Sequence, residues 1–121
     1  MRKWFYMNNR DIYILERIIQ YCNEINETSN HFGNSYECLI NNSIFKNAVS
    51  MCILQIDELT THLSGEFKQK YNDMPWQDIK AMRNIAAHKY GSFDMTKVWE
   101  TISEDIPELK MYCDRIINET I

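Results

Sequence analysis

Three glycines and two prolines in 121 residues leave this chain too few turn formers to build a sheet. A sandwich or barrel turns roughly every 8–12 residues, and glycine and proline make most of those turns. A few long helices need far fewer. The length suits one domain, so 1–121 reads as a single helical domain. With 45% hydrophobic and 25% charged residues the chain has enough apolar side chains for a core, which argues against disorder.

The apolar positions recur with helical spacing. From about Asp11 to Ser29, Ile12, Leu15, Ile18, Ile19, Cys22 and Ile25 share one face, and Glu16, Arg17, Gln20, Asn23 and Glu24 cover much of the other. Gly33-Asn34-Ser35 supplies a stop and then a fresh N-cap. Tyr36 to Ile40 reads as a short helical piece or the start of the next helix. A long second helix is predicted over about Ser43 to Leu63, with a stripe of Ile44, Phe45, Ala48, Cys52, Ile56, Leu59 and Leu63 widened by Val49, Met51 and Ile53. So broad a stripe implies contacts on two sides, with neighbouring helices or with a second copy of the chain. Gly65 loosens the end, and Glu66 to Asp73 is polar enough for a connecting segment.

Pro75 suits the first turn of a third helix, and Asp78 adds a favourable charge near its N-terminus. Trp76, Ile79, Met82, Ile85 and Ala86 face inward by spacing, and Gly91 marks the stop. Asp94 then N-caps a last helical region with Val98, Ile102, Leu109, Cys113, Ile116 and Ile117 inward. Pro107 lacks a backbone donor and disfavours helix at Ile106, so a kink or split is expected there, with Glu104 or Asp105 capping the second half. The predicted architecture is all-α, an up-and-down bundle of four main helices with a fifth short piece.

Composition narrows function mainly by exclusion. Thirteen basic against seventeen acidic residues give a net charge of −4, which disfavours bulk coating of nucleic acid but leaves room for a small local site. No apolar run approaches the ~18 residues of a membrane span, and no apolar signal region follows the opening Met-Arg-Lys-Trp. A cytoplasmic protein without membrane attachment is expected. Cys22, Cys38, Cys52 and Cys113 form no CxxC pair, and His31, His62 and His88 complete no zinc pattern, so no metal or other cofactor is expected. The cysteines read as reduced core residues. Trp76 and Trp99 read as core anchors, His62 as a helix-surface residue, His31 as a loop residue, Tyr71 as a loop anchor, and Asp57 with Glu58 as a solvated face.

One stretch departs from generic bundle chemistry: Met82-Arg83-Asn84-Ile85-Ala86-Ala87-His88-Lys89-Tyr90-Gly91. Five steps separate Arg83 from His88, about 140° around an ideal helix and about 7.5 Å along it. The long arginine stem, fraying near Gly91, or a second copy of the chain would bring the two groups together. A guanidinium forks onto two phosphate oxygens, and an imidazole titrating near neutrality can move the proton of a ribose 2′-hydroxyl or a leaving 5′-oxygen. Such a pair suits metal-free cleavage of RNA. One histidine per chain is one short of a base and an acid, and a cleft on a two-fold axis would supply both. On residues alone, such a pair is more often a surface arginine and a histidine partnering the helix dipole than a catalytic pair.

The run RNIAAHKY resembles the signature of HEPN-domain proteins, and more closely that of the HepT-like toxins, Arg-x4-His-x-Tyr, which here falls on Arg83, His88 and Tyr90. The polar Asn84 directly after the arginine suits the same pattern, and the stretches Asp11 to Ile18 and Trp76 to Met82 are similar to the family's first helix and its approach to the motif. The resemblance spans about residues 8 to 118. It implies a homodimeric helical bundle with both motifs in one composite cleft, acting as an endoribonuclease toxin. It also implies a nucleotidyltransferase-type antitoxin as partner, attaching AMP to the motif tyrosine. Carried over, Arg83 would hold the phosphate, His88 would act as acid or base, Asn84 and Lys89 would support substrate binding, and Tyr90 would be the modification target. Lys80, Arg83 and Lys89 would supply a focused cationic cleft. The alternative expectation is a non-catalytic HEPN module that dimerises and docks a nucleotidyltransferase.

Overall fold

The computed structural model describes residues 8–73 and 94–120. Among the described residues there is no strand, in line with the all-α expectation. The helices are α1 (Asn9–Phe32), α2 (Tyr36–Ile40), α3 (Ser43–Thr61), α4 (Gly65–Lys70), α5 (Met95–Glu100) and α6 (Ile106–Thr120), with a π-helical turn, Thr101–Asp105, joining the last two. The predicted third main helix, including Pro75, Trp76 and Gly91, lies outside the described residues.

Short polar side chains start these helices. Asn8 accepts from the Asp11 N–H at 2.7 Å, Ser35 from Cys38 at 3.1 Å, Asn42 from Ile44 and Phe45 at 2.9 and 3.0 Å, and Ser64 from Phe67 at 3.1 Å. Each satisfies donors that a helix start leaves open, worth about 1 kcal/mol apiece. Gly33 ends α1 in the left-handed region at φ 110°, and the next N–H, from Asn34, returns to the Ser29 carbonyl at 2.7 Å. That bond closes a Schellman turn. The stop at Gly33 and the cap at Ser35 are where the sequence puts them, while α1 extends further at both ends than the apolar stripe does.

One core runs through α1, α3 and α6. Ile14, Leu15, Ile18, Cys22 and Ile25 of α1 meet Phe45, Val49, Cys52, Ile53 and Ile56 of α3, and Leu109, Cys113 and Ile116 of α6 close over them. Phe45 is fully buried and stacks on Phe32 with 5.4 Å between ring centroids. Burying a side chain of this size stabilises the fold by about 1.5–3 kcal/mol. Helix α2 bridges α3 and α5, with Leu39 as its buried residue.

The broad stripe of α3 is only partly core. Ile44 and Met51 are 66% and 55% exposed, whereas Asp57, expected on a solvated face, is buried. The segment expected to connect after Gly65 is helical instead. Ser64 caps it, and Phe67 alone drops into the core, enough to fix one and a half turns of otherwise polar chain. Near Pro107 the chain neither splits nor recaps. Ile106 keeps helical torsions, φ −65° and ψ −45°, and its N–H reaches back to the Thr101 carbonyl. A π-turn thus accommodates the donor that proline lacks, so Glu104 and Asp105 lie inside a continuous rod and not ahead of a separate helix.

Candidate functional site

The motif residues Arg83, Asn84, His88, Lys89 and Tyr90, with Lys80, lie outside the described residues. What the structure shows is how the chain is held on either side of that stretch, at Asp73 and at Asp94.

On the leading side, α4 ends at Tyr71, whose N–H donates to the Phe67 carbonyl at 2.9 Å and whose ring lies 4.9 Å from that of Phe67. Tyr71 is therefore an anchor, though at a helix end and not in a loop. Two residues on, the Asp73 carboxylate accepts from the Tyr112 hydroxyl of α6. The Arg115 guanidinium covers the Tyr112 ring at 4.7 Å from its centroid. Burial, then the Asp73 hydrogen bond and charge, push the Tyr112 hydroxyl up to about 12, and Arg115 opposes them. The phenol is thus a neutral donor throughout the physiological range. Beside this contact is a cavity of about 440 Å³ whose lining includes Lys70, Asp73, Tyr112, Arg115 and Glu119. Its two cations face two carboxylates, so it carries no net positive surplus.

On the trailing side, Asp94 caps α5, accepting from Thr96 and Lys97 N–H groups at 3.1 and 3.4 Å. The hydroxyls of Thr96 and Tyr36 meet at 3.2 Å, tying α5 to α2. The described chain on either side of the motif stretch is therefore tied to the bundle, at α6 through Asp73 and at α2 through Thr96. Asp94 was legible as a cap. The Tyr112–Asp73 contact was not, because its partners are 39 residues apart; only the Tyr112/Arg115 pair, three apart on one helix face, left a local trace.

The remaining reactive groups are structural. Desolvation raises Cys22 from 9.0 to about 12 and Cys52 to about 11, and it raises Cys113 as well, so these buried thiols stay protonated and inert. All four cysteines are free. His62 is exposed and pairs with Glu58 at 3.0 Å, while His31 belongs to the last turn of α1, edge-on to Phe32, and not to a loop. Among the described residues no three His, Cys, Asp or Glu side chains converge as a metal site requires, and no helix is long and apolar enough to cross a membrane.

Comparison with known proteins gives the same direction throughout. A family model described as ribonuclease HepT-like matches residues 14–116. A Methanocaldococcus jannaschii protein named "Putative RNase" is 35% identical over 115 residues, 93% of either chain. A second protein of that organism with the same designation is 30% identical over 105 residues, 86% of this chain and 94% of its own. A Thermococcus cleftensis protein named "Probable ribonuclease HepT" is 33% identical over 63 residues, 52% of this chain and 57% of its own. No solved structure matches.

Proposed function

Because this chain belongs to the ribonuclease HepT-like family, we propose that it is a metal-independent endoribonuclease toxin, acting as a homodimer and restrained by a nucleotidyltransferase-type antitoxin. The observation that carries this reading is the family match over residues 14–116, a span that contains Arg83, His88 and Tyr90.

Each residue then has a physical task. Arg83 binds the scissile phosphate through two N–H groups and stays charged at every relevant pH. His88 of one protomer takes the proton of the ribose 2′-hydroxyl, whose oxygen attacks phosphorus. His88 of the partner subunit gives a proton to the departing 5′-oxygen. The products end in a 2′,3′-cyclic phosphate and a 5′-hydroxyl. Asn84 and Lys89 contribute a neutral donor and a cation beside the phosphate. Pairing of two chains is supported by the apolar surface that α3 leaves open at Ile44 and Met51, one heptad apart on the same helix face.

Regulation follows from charge. AMP attached to Tyr90 sets an anionic phosphate two residues from His88, where it repels the RNA backbone and fills the cleft. The hydrogen bonds at Asp73 and Asp94, both at the surface, support the reading by holding the chain on either side of the motif stretch, since acid–base catalysis tolerates little misplacement of its groups.

The cellular test is induced expression in a bacterial host without antitoxin, at matched soluble levels. Wild type is expected to arrest growth and His88→Ala to leave it unaffected. Harmless expression of both, as folded dimers, would instead point to a non-catalytic docking module.

A further inference from the structure

A second cavity, of about 300 Å³, opens between the C-terminal half of α1 and the rod made by α5, the π-turn and α6. It lies apart from the Asp73 contact. Its lining is chemically uneven in an informative way. Ile25, Ile102 and Ile106 form a buried apolar floor, and Trp99, only partly buried, stands as a wall. Asn23 and Asn26 project from one face of α1, and neither carboxamide has a hydrogen-bond partner among the described residues. Lys110 supplies the one charge among the described lining residues. Its ammonium is 3.9 Å from the Asp114 carboxylate, a long contact between half-exposed side chains that holds it weakly.

Among the described residues no carboxylate lines this cavity, although the chain carries seventeen Asp and Glu residues and a net charge of −4. A site with a lysine and no acid, on an acidic protein, is a local attraction for an anion. The absence of carboxylates also removes the usual ligands for a hard metal ion. Three further requirements narrow the occupant. The indole offers a flat face for a ring, the carboxamides offer both donors and acceptors to a ring edge, and the volume is at the lower end of small-ligand sites. A purely apolar ligand would strand the carboxamides, and a folded partner or a helix is too large.

Two irregularities shape the opening. Asn34, at φ 50°, lines it from the turn after α1, and the π-turn around Ile102 and Ser103 lines the opposite side. Backbone departures of both kinds gather at ligand sites. Asp94, where the described chain resumes after the motif stretch, is five residues before Trp99, about 7.5 Å along α5.

We propose that this cavity holds one nucleotide unit, its base against Trp99 and the Asn23 and Asn26 carboxamides and its phosphate at Lys110. The choice of a single-stranded RNA as the source of that nucleotide rests on the ribonuclease reading; a free nucleoside monophosphate has the same chemistry. Sequence-tolerant binding is the expected behaviour, because every base has a face to stack and a carboxamide can pair with any edge.

The test uses the full chain carrying His88→Ala, so that RNA survives the titration. The Trp99 indole N–H resonance, identified by its loss in Trp99→Phe, is followed with the four nucleoside 5′-monophosphates and separately with a short unpaired RNA. The resonance is expected to shift with RNA, and Asn26→Asp and Lys110→Glu, both solvent-accessible and away from the core, to weaken binding about tenfold. In the otherwise wild-type protein the same two changes are expected to raise KM for RNA by about tenfold at unchanged kcat. A shift with mononucleotides alone makes the free nucleotide the source and keeps the assignment of the cavity. If wild type cleaves no RNA and the resonance still shifts, the ribonuclease reading fails and the cavity assignment stands. If RNA is cleaved while the resonance is silent to both ligands and KM ignores both substitutions, the cavity assignment is overturned.

Discussion

The buried carboxylate of Asp11 grips Ser64 twice, accepting from its backbone N–H at 2.9 Å and from its hydroxyl at 2.7 Å. The same Ser64 oxygen accepts from the Phe67 N–H, so one carboxylate near the start of α1 orients the cap of α4. Helix α4 leads directly to Asp73 and the motif stretch. The contact therefore couples the first turn of the fold to the approach of its candidate catalytic segment.

Asp11→Ala leaves the Ser64 N–H and hydroxyl without their acceptor inside the protein. Denaturant unfolding is expected to show a loss of about 1.5–3 kcal/mol. Ser64→Ala removes the cap as well, and the double variant should lose less than the sum of the two, with a coupling of at least about 0.5 kcal/mol. Strict additivity would deny the pairing.

Gly33→Ala meets two obstacles at once. The backbone sits at φ +110°, and a Cβ there would come within 2.6 Å of the Cys38 Sγ. A loss of about 1–2 kcal/mol is expected from the torsion alone. Adding Cys38→Ala removes the sulfur and should recover only part of the total, because the backbone strain persists.

Much of this fold was legible because it is local. The stop at Gly33, the caps at Ser35 and Asp94, and the apolar stripes of α1 and α6 each depend on residues within a few positions of one another. What escaped is tertiary. Asp11 reads as an ordinary first-turn acid until Ser64, fifty-three residues away, is placed beside it. Glu66 to Asp73 reads as a linker because a single phenylalanine carries no periodicity, yet buried Phe67 and the Ser64 cap held by Asp11 fix α4. At Pro107 the local rule was sound about the missing donor, but a π-turn met the need without breaking the rod. Arg83, His88 and Tyr90 stand out only as a string, and they lie outside the described residues. The anchor that flanks them was not legible, since Asp73 and Tyr112 come from different elements.

Alkaline titration should expose the core thiols. Burial holds Cys22 at about 12 and Cys52 at about 11, against 9.0 for an exposed thiol. Because the folded values are raised, this stability is fully present below pH 9, where the unfolded chain also keeps its protons. It is lost as pH rises through the folded values. The urea midpoint is therefore expected to be flat between pH 7 and about 8.5 and to fall steadily above it. Cys22→Ala, less stable at every pH through its cavity, should show a shallower decline. A thiol reagent at pH 8 should label half-buried Cys38 first and the other three only on unfolding.

Purified protein incubated with single-stranded RNA in excess chelator tests whether His88 cleaves RNA without metal. Wild type is expected to yield fragments ending in 2′,3′-cyclic phosphate and 5′-hydroxyl groups, and folded His88→Ala to cleave at least about 100-fold more slowly. Intact RNA with wild type, or cleavage that chelator abolishes and His88→Ala does not, would overturn the proposed mechanism.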